Sequence, residues 1–209
     1  MRIGIIGAGK IGSTLGRLWA AADHDVIVAS RHPDELKPLI DTIGARATAG
    51  TPIEAASLGS VAMLAVPLRA LPDLARDLRQ ELAGKIVLDT SNAYERRDGQ
   101  AATEATAHAQ GSAGWAAAMF PGARWVKAFN TVNFKTLESE AHRDGDRLGI
   151  PLASDDADAL DVAADLVQDA GFDPVIVGSL ARGKEFEPNT PTYNTGRSGR
   201  ELRAFFSVG

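Results

Sequence analysis

Three glycines near the start of the chain have the spacing of a phosphate-binding turn. Gly7, Gly9 and Gly12 follow a short apolar run over residues 2–6 and precede a helical pattern over residues 13–22. In such a turn the first glycine allows a sharp bend, the second lets a pyrophosphate approach the backbone, and the third lets the helix pack closely. The helix N-terminus then offers free N–H groups to the phosphates. The pattern predicts a dinucleotide-binding unit, because a strand precedes the turn and a helix follows it.

The residues at the tip of the second apolar run bear on which dinucleotide is bound. That run, residues 25–29, ends at Ser30 and Arg31, and no carboxylate follows until Asp34. NAD sites place an acid here for the ribose 2′-OH, whereas NADP sites place an arginine nearby. Ser30 and Arg31 therefore predict a preference for NADP, with His32 as a further candidate contact for the 2′-phosphate. The alternative is an ordinary exposed arginine at a strand end.

Further strand ends deliver residues to the same place. Buried apolar runs over residues 61–66, 85–89 and 124–129 alternate with helical patterns, which predicts parallel strands. Ligands of such sheets bind beyond the carboxyl ends of the strands. Apolar Val66 and Pro67 there suit the flat face of a nicotinamide. Asn92 follows another strand, and its spacing fits a crevice residue and a simple turn residue equally well.

The α/β alternation continues towards the end of the chain and defines the expected fold. We expect a Rossmann-like, doubly wound α/β fold with a mostly parallel sheet and an elaborated C-terminal edge. It should form one NADP-binding domain over residues 1–209. Residues 45–47 are a weak third strand, and residues 100–118 read as a mobile loop with a short helix near residue 114. The turn-rich tail, residues 181–209, is a candidate lid. A helix over residues 199–206 is expected near its end.

Composition excludes several classes of protein. The 209 residues carry a formal net charge of −5, which argues against a nucleic-acid partner. No apolar run is long enough to cross a membrane. A strand that begins at Arg2 leaves no room for a signal peptide, so we expect a cytoplasmic protein. The chain has no cysteine, so it can form no disulfide and no thiolate metal site.

The histidines and paired carboxylates do not suggest a catalytic centre. None of the four histidines has a partner at metal-ligand spacing, so no metal site is predicted, and His24 is most simply a solvated corner. Asp155 and Asp156 are interpreted as helix caps. Dehydrogenases that act on alcohols need a general acid or base beside the reacting bond. The sequence offers no such acid or base, which favours hydride transfer between two ring cofactors. No catalytic residue is assigned.

Four segments together resemble the coenzyme F420-dependent NADP oxidoreductase family. They are residues 5–12, 29–31, 89–92 and 126–131. The resemblance implies a Rossmann fold, a homodimer, and hydride transfer between NADPH and the deazaflavin F420 or a related flavin. It also implies that Lys127 and Asn130 lie near the pocket of the second ring. The residues that would line the NADP site by this resemblance are Gly7, Ala8, Gly9, Lys10, Ile11, Gly12, Ser30, Arg31, Val66, Pro67 and Ala128.

Two other functions remain open at this stage. One is a reductase for a small carbonyl or imine substrate, with a dimer partner completing the site. The other is a non-catalytic sensor that binds NADP(H) and would keep Arg31 without a pocket for a second ring. In each case the partner is a small molecule.

Overall fold

A single eight-stranded sheet forms the centre of the protein. The computed structural model describes all 209 residues, and the strands lie in the order β3-β2-β1-β4-β5-β6-β7-β8. Every neighbouring pair is parallel except β6 and β7, which meet antiparallel at one residue pair, Lys127 and Ala153. The strands are β1 Arg2–Ile6, β2 Asp25–Ala29, β3 Ala47–Gly50, β4 Val61–Leu64, β5 Ile86–Asp89, β6 Arg124–Lys127, β7 Gly149–Ala153 and β8 Asp173–Gly178.

Ten α-helices connect the strands and cover the sheet. They are α1 Lys10–Ala21, α2 Lys37–Ile43, α3 Pro52–Leu58, α4 Leu71–Leu78, α5 Glu95–Asp98, α6 Gln100–Ala107, α7 Gly111–Ala117, α8 Phe134–Glu140, α9 Ala157–Asp169 and α10 Gly199–Phe206. Short 3-10 turns occupy Pro33–Leu36, Leu68–Ala70 and Leu180–Phe186. This architecture confirms the predicted Rossmann-like α/β fold, because strand order reverses direction between β1 and β4.

The strands are apolar on both faces because a hydrophobic layer lies on each side of the sheet. Ile3 and Ile5 of β1 point into one layer, where Trp19 of α1 is fully buried and donates its indole N–H to the Leu166 carbonyl at 2.8 Å. Ile6 points into the other layer, with Leu64 of β4. Continuous apolar runs are therefore required in the central strands.

The third strand and the region after α5 differ from the prediction. β3 spans Ala47–Gly50 and not residues 45–47, because Arg46 turns its side chain outward to ion pairs with the carboxylates of Asp23 and Asp25. Residues 100–118 form α6 and α7, so the expected mobile loop is wrong, whereas the expected short helix over residues 114–119 overlaps α7. The glycines at 111 and 114 suggest a loop, but tertiary packing outweighs their low helix propensity, because alanines of both helices are buried.

His24 is also placed differently from the prediction of a solvated corner. Its side chain is buried, and Nε2 lies 2.8 Å from Asp169 Oδ2 at the end of α9. The turn before β2 therefore packs against the C-terminal end of a helix far along the chain, which local sequence does not reveal.

The C-terminal tail is tied to the body of the protein by hydrogen bonds. Glu187 Oε1 accepts hydrogen bonds from the Ser112 backbone N–H at 2.7 Å and from its hydroxyl at 2.6 Å. The Asn194 N–H donates to the Thr131 carbonyl at 2.7 Å. These bonds fix the tail beside the carboxyl end of β6. No helix has the length and apolarity needed to span a bilayer.

Candidate functional site

The glycine turn between β1 and α1 has the geometry that its spacing predicts. Gly7 has a φ of +118°, and a Cβ there would lie 2.4 Å from the Ala65 carbonyl oxygen. A Cβ on Gly12 would lie 2.1 Å from the Gly7 carbonyl oxygen. A Cβ on Gly9, in contrast, would meet no protein atom within 4 Å. Gly7 and Gly12 are thus required by the protein's own packing, whereas Gly9 borders open space that a ligand can fill.

The N-terminus of α1 faces that open space without a protein cap. Gly9 is the N-cap residue, provides no side-chain hydrogen bond, and no acid occupies the first turn. The first N–H groups of the twelve-residue helix are therefore free, and the positive end of the helix dipole is not neutralised. Lys10 adds a cation, with Nζ 4.4 Å from the centre of the Phe134 ring. An anion such as a pyrophosphate is the ligand that this arrangement favours.

One pocket extends from the turn to the tip of β2 and has a volume of about 580 Å³. Ser30 and Arg31 line it, together with Gly7 and Ala8. Ser30 Oγ accepts a hydrogen bond from the His32 N–H at 3.1 Å, which leaves the hydroxyl hydrogen free to donate to a ligand. Arg31 is exposed and forms no ion pair. His32 is exposed outside the pocket lining, so its side chain does not join this group.

The remaining walls of this pocket come from residues that the sequence analysis did not single out. Thr51, Pro52 and Ile53 follow β3, which pairs with β2, so they lie beside the Ser30 tip. Leu74 of α4 and Arg69 close the other side. The signal that could identify the first three is the strand order, since the end of β3 must meet the end of β2.

A second pocket, of about 310 Å³, adjoins the first along the carboxyl edge of the sheet. Val66 and Pro67 line both pockets, so the two form one crevice. Gly9, Lys10 and Ile11 border the second pocket from the glycine turn. The parallel strands β1, β4, β5 and β6 thus bring together the segments that were expected to meet at this edge.

Asn92 is a buried member of the second pocket, in keeping with the crevice interpretation of its position. Its Nδ2 donates to the Asn130 carbonyl at 2.8 Å, and its Oδ1 accepts from Asn130 Nδ2 at 3.1 Å. Asn130 Nδ2 also donates to the Phe186 carbonyl at 3.1 Å. Asn130 Oδ1 and Ser91 Oγ are buried and have no hydrogen-bond partner. Unpaired buried polar atoms are costly, and here they border a pocket that an amide-bearing ring could enter.

Ala128 and Lys127 lie deeper than the family resemblance implies. Ala128 is fully buried in the apolar layer that contains Trp19, and its side chain does not reach either pocket. Lys127 is fully buried and pairs with Asp89, so it does not line the second pocket either. The reason is that side chains on successive strand residues point to opposite faces, so neither points beyond the strand end.

Two tyrosines in the second pocket were missed by the sequence analysis. Tyr94, just before α5, and Tyr193, in the tail, contact each other through their hydroxyl groups. Burial raises the pKa of Tyr193, and its hydrogen bond with Tyr94 raises it further. Arg97 lies over the Tyr94 ring, 4.8 Å from the ring centre. The pairing joins residues 99 positions apart, so no local pattern could have indicated it.

The crevice as a whole fits a dinucleotide that carries a 2′-phosphate. The open space beside Gly9 has room for a pyrophosphate. Ser30 and Arg31, after β2, offer a hydrogen-bond donor and a cation for a 2′-phosphate. The unpaired Oδ1 of Asn130 lies at the opposite end of the crevice. No group of three or more histidines or acids is arranged to hold a metal ion.

Comparison with known proteins gives a consistent family signal. Residues 2–93 match the family model described as "NADP oxidoreductase coenzyme F420-dependent". The chain is 28% identical over 204 residues to an F420-dependent NADP reductase from Methanothermobacter marburgensis, covering 91% of this chain and 90% of that protein. It is 31% identical over 186 residues to the metalloreductase STEAP3 of Rattus norvegicus, covering 89% of this chain. The chain spans only 36% of the length of that metalloreductase.

A solved structure shows the same fold over nearly the whole chain. A hypothetical protein from Sinorhizobium meliloti is 31% identical and superimposes with a TM-score of 0.82, covering 95% of each chain. The agreement therefore extends far beyond the glycine turn.

Proposed function

We propose that this chain, which belongs to the coenzyme F420-dependent NADP oxidoreductase family, transfers a hydride between NADPH and a flavin-like or deazaflavin acceptor such as F420. The observation that carries the proposal is the two-part crevice. A cationic tip and an anion-binding helix end occupy one part, and an adjoining pocket of about 310 Å³ lies beyond apolar Val66 and Pro67. That second volume is the space in which an acceptor ring could lie against the nicotinamide.

Each cofactor-binding residue has a distinct role in this proposal. Gly9 and the free N–H groups of residues 10–12 hold the pyrophosphate, with Lys10 adding charge. Ser30 and Arg31 hold the 2′-phosphate, because a hydroxyl donor and a guanidinium form charge-assisted hydrogen bonds to phosphate oxygens. Gly7, Ala8, Ile11 and Gly12 shape the turn around them. Ala128 lines neither pocket and so does not contact the cofactor; it packs in the core beneath the end of β6.

At the reacting end the chain orients the ring and excludes water. Val66 and Pro67 offer an apolar surface, and Asn92 and Asn130 lock each other into place by two hydrogen bonds. Asn130 Oδ1 and Ser91 Oγ lack protein partners and belong to residues that line the second pocket, which supports a carboxamide at this end of the crevice. NADPH supplies the hydride when bound, so the protein needs chiefly to place the two reactants face to face.

The second candidate is a reductase of a small carbonyl or imine substrate. The observation that favours it is the pair of tyrosine hydroxyls in the second pocket, because such a substrate needs a proton as well as a hydride. From the sequence alone, the lack of an acid/base group favoured transfer between two rings. With the two tyrosines in the pocket, this argument no longer separates a flavin-type acceptor from a carbonyl or imine.

We further propose a cytoplasmic homodimer in which residues 1–209 act as one domain. The family resemblance supports the dimer, and the single sheet that contains all eight strands supports the single domain. A role for the tail as a lid stays a prediction. Sedimentation of the purified protein would test the dimer.

One experiment separates the candidates. NADPH oxidation by the purified protein is followed in parallel with F420, FMN, a panel of small aldehydes and ketones, and a cyclic imine, while NADPH affinity is measured by calorimetry. Turnover with F420 or FMN supports the first proposal, and turnover only with the carbonyl or imine panel supports the second. Tight NADPH binding without turnover on any acceptor would contradict both and favour a sensor.

A further inference from the structure

The only two tyrosines of the chain meet in the second pocket, which the proposed function assigns to the hydride acceptor and which is called the acceptor pocket below. The sequence contains two tyrosines, and the hydroxyl of Tyr94 contacts the hydroxyl of Tyr193. Both side chains are half-buried and line the pocket that also contains Val66 and Pro67. A hydride acceptor in this pocket would therefore lie beside two linked phenol groups.

The hydrogen bonds around Tyr94 allow its own proton to be donated to a ligand when Tyr193 is the donor of the pair. A phenol oxygen has one hydrogen and accepts through its lone pairs. Asn92 Nδ2 is 3.4 Å from Tyr94 Oη and can only donate to it. When Tyr193 also donates to Tyr94, the Tyr94 oxygen accepts twice and its hydrogen points to neither neighbour. That hydrogen is available to a ligand in the pocket.

Tyr193 is suited to remain the donor within this pair. Burial is the main cause of its raised pKa, so it keeps its proton throughout the neutral pH range. Its position is fixed from both sides, because the Tyr193 N–H donates to the Thr190 carbonyl at 3.1 Å and the next residue, Asn194, donates to the Thr131 carbonyl at 2.7 Å.

Charged groups pack closely around the Tyr94 side chain. The Arg97 guanidinium lies over its ring and is held by the Asn92 carbonyl, 2.8 Å from Nη2. Asp98 is buried beneath, where its Oδ2 accepts the Tyr94 backbone N–H at 3.0 Å and pairs with Arg97. These contacts fix the Tyr94 ring in place, with its oxygen within reach of Asn92 and Tyr193.

The other polar groups of the pocket are poor proton donors at this position. The amides of Asn92, Asn130 and Asn133 and the hydroxyls of Thr90 and Ser91 are much weaker acids than a phenol, and an arginine does not release its proton in proteins. Lys10 borders the pocket from the glycine turn, where the proposed function pairs its ammonium with the pyrophosphate. By chemistry and by position, a tyrosine is the remaining candidate.

We propose that Tyr94 is the proton donor to the hydride acceptor, with Tyr193 as the residue that positions it. This inference rests on the proposed function. As the hydride leaves NADPH for the electrophilic atom of a carbonyl, imine or ring acceptor, the Tyr94 O–H bond breaks. Its proton forms a new bond to the heteroatom at the other end of the reduced double bond. NADP⁺ and the two-electron-reduced product leave, and the Tyr94 oxyanion regains a proton from water.

The test compares Tyr94→Phe with its matched variant, Tyr193→Phe, each of which removes one hydroxyl oxygen. We expect Tyr94→Phe to lower kcat by roughly 100-fold or more, since general acids typically contribute 10²–10⁴-fold. NADPH affinity should not change. Tyr193→Phe should have a smaller effect on kcat and should alter its pH profile.

Ultraviolet titration of the protein without cofactor gives a readout that is independent of turnover. Because the chain has two tyrosines, each variant leaves a single tyrosinate signal. Tyr193, observed alone in Tyr94→Phe, should ionise above the ordinary pH range of a tyrosine, because burial raises its pKa. An ordinary pKa for Tyr193 in that variant, or a Tyr94→Phe variant with kcat within twofold of the parent, would overturn the proposal. A parent protein that oxidises no NADPH with any acceptor would instead contradict the proposed function, and the titration would still report on the pair.

Discussion

Lys127 Nζ lies 2.9 Å from Asp89 Oδ2, and both side chains are completely buried between the ends of β5 and β6. Lys127 also donates to the Ser91 carbonyl, while Asp89 Oδ1 accepts the Ser91 N–H at 2.8 Å. The ion pair therefore holds both backbone groups of Ser91, which lies at the floor of the acceptor pocket next to Asn92. Its role is to fix the corner that follows β5.

Removing one partner of this pair should be strongly destabilising. We expect Lys127→Met to lower the free energy of unfolding by about 3–5 kcal/mol, because the Asp89 charge would remain buried without a counterion. Urea denaturation measures the loss. The double variant Asp89→Asn with Lys127→Met leaves no buried charge and should recover at least half of it. A double variant no more stable than Lys127→Met would show that the pair's charge is not the cause.

The glycine turn allows binding and stability to be separated. A Cβ on Gly9 meets no protein atom, so Gly9→Ala should change the unfolding free energy by less than about 1 kcal/mol. It should nonetheless raise the Kd for NADPH roughly tenfold or more, because the methyl group occupies the space assigned to the pyrophosphate. Calorimetry and urea denaturation on the same preparation provide the two values.

Gly12→Ala is the contrasting variant. Its Cβ would lie 2.1 Å from a backbone oxygen, so the backbone must shift and we expect a loss of about 1–3 kcal/mol in stability. If Gly9→Ala bound NADPH as tightly as the parent protein, the pyrophosphate would have to lie elsewhere.

The 2′-phosphate assignment depends on Arg31. Arg31→Ala should raise the Kd for NADPH roughly 10- to 100-fold, the equivalent of about 1.5–3 kcal/mol for charged hydrogen bonds, and leave the Kd for NADH nearly unchanged. Arg2→Ala is the matched control, because Arg2 is also exposed but lies at the opposite end of β1. Equal changes for NADPH and NADH in Arg31→Ala would remove the basis for the assignment.

Local patterns predicted the elements that local interactions stabilise. The helix over residues 199–206 begins at Ser198, whose capping box with Glu201 is encoded within four residues. The helix α3 is capped in the same local way, by Thr51 and Glu54. The glycine turn was recognisable because its three glycines lie within six residues.

Features that depend on distant residues could not be predicted in this way. The helix α7 begins at Gly111, which has a positive φ, and it is held by Glu187, 75 residues away from Ser112. The Tyr94 and Tyr193 pair depends on the route of the tail across the crevice. Sequence reasoning therefore indicated the proposed phosphate end of the site, which one turn builds, and missed the proposed proton donor, which two remote segments build together.

The start of α9 should contribute to the acid sensitivity of the fold. Hydrogen bonds from Arg124, then from the Ala159 N–H, lower the pKa of Asp156 to about 2 from an ordinary value of 3.8. Since the folded-state pKa is the lower one, the carboxylate stabilises the fold above pH 4, and this contribution is lost as the pH falls from about 4 towards 2. Asp156→Asn, which keeps the helix cap, should flatten the dependence of stability on pH in that window. Asp158→Asn is the control, because its carboxylate is 92% exposed and 3.7 Å from Arg124. Urea denaturation at a series of pH values measures both, and an equal flattening in the two variants would exclude Asp156 as the source.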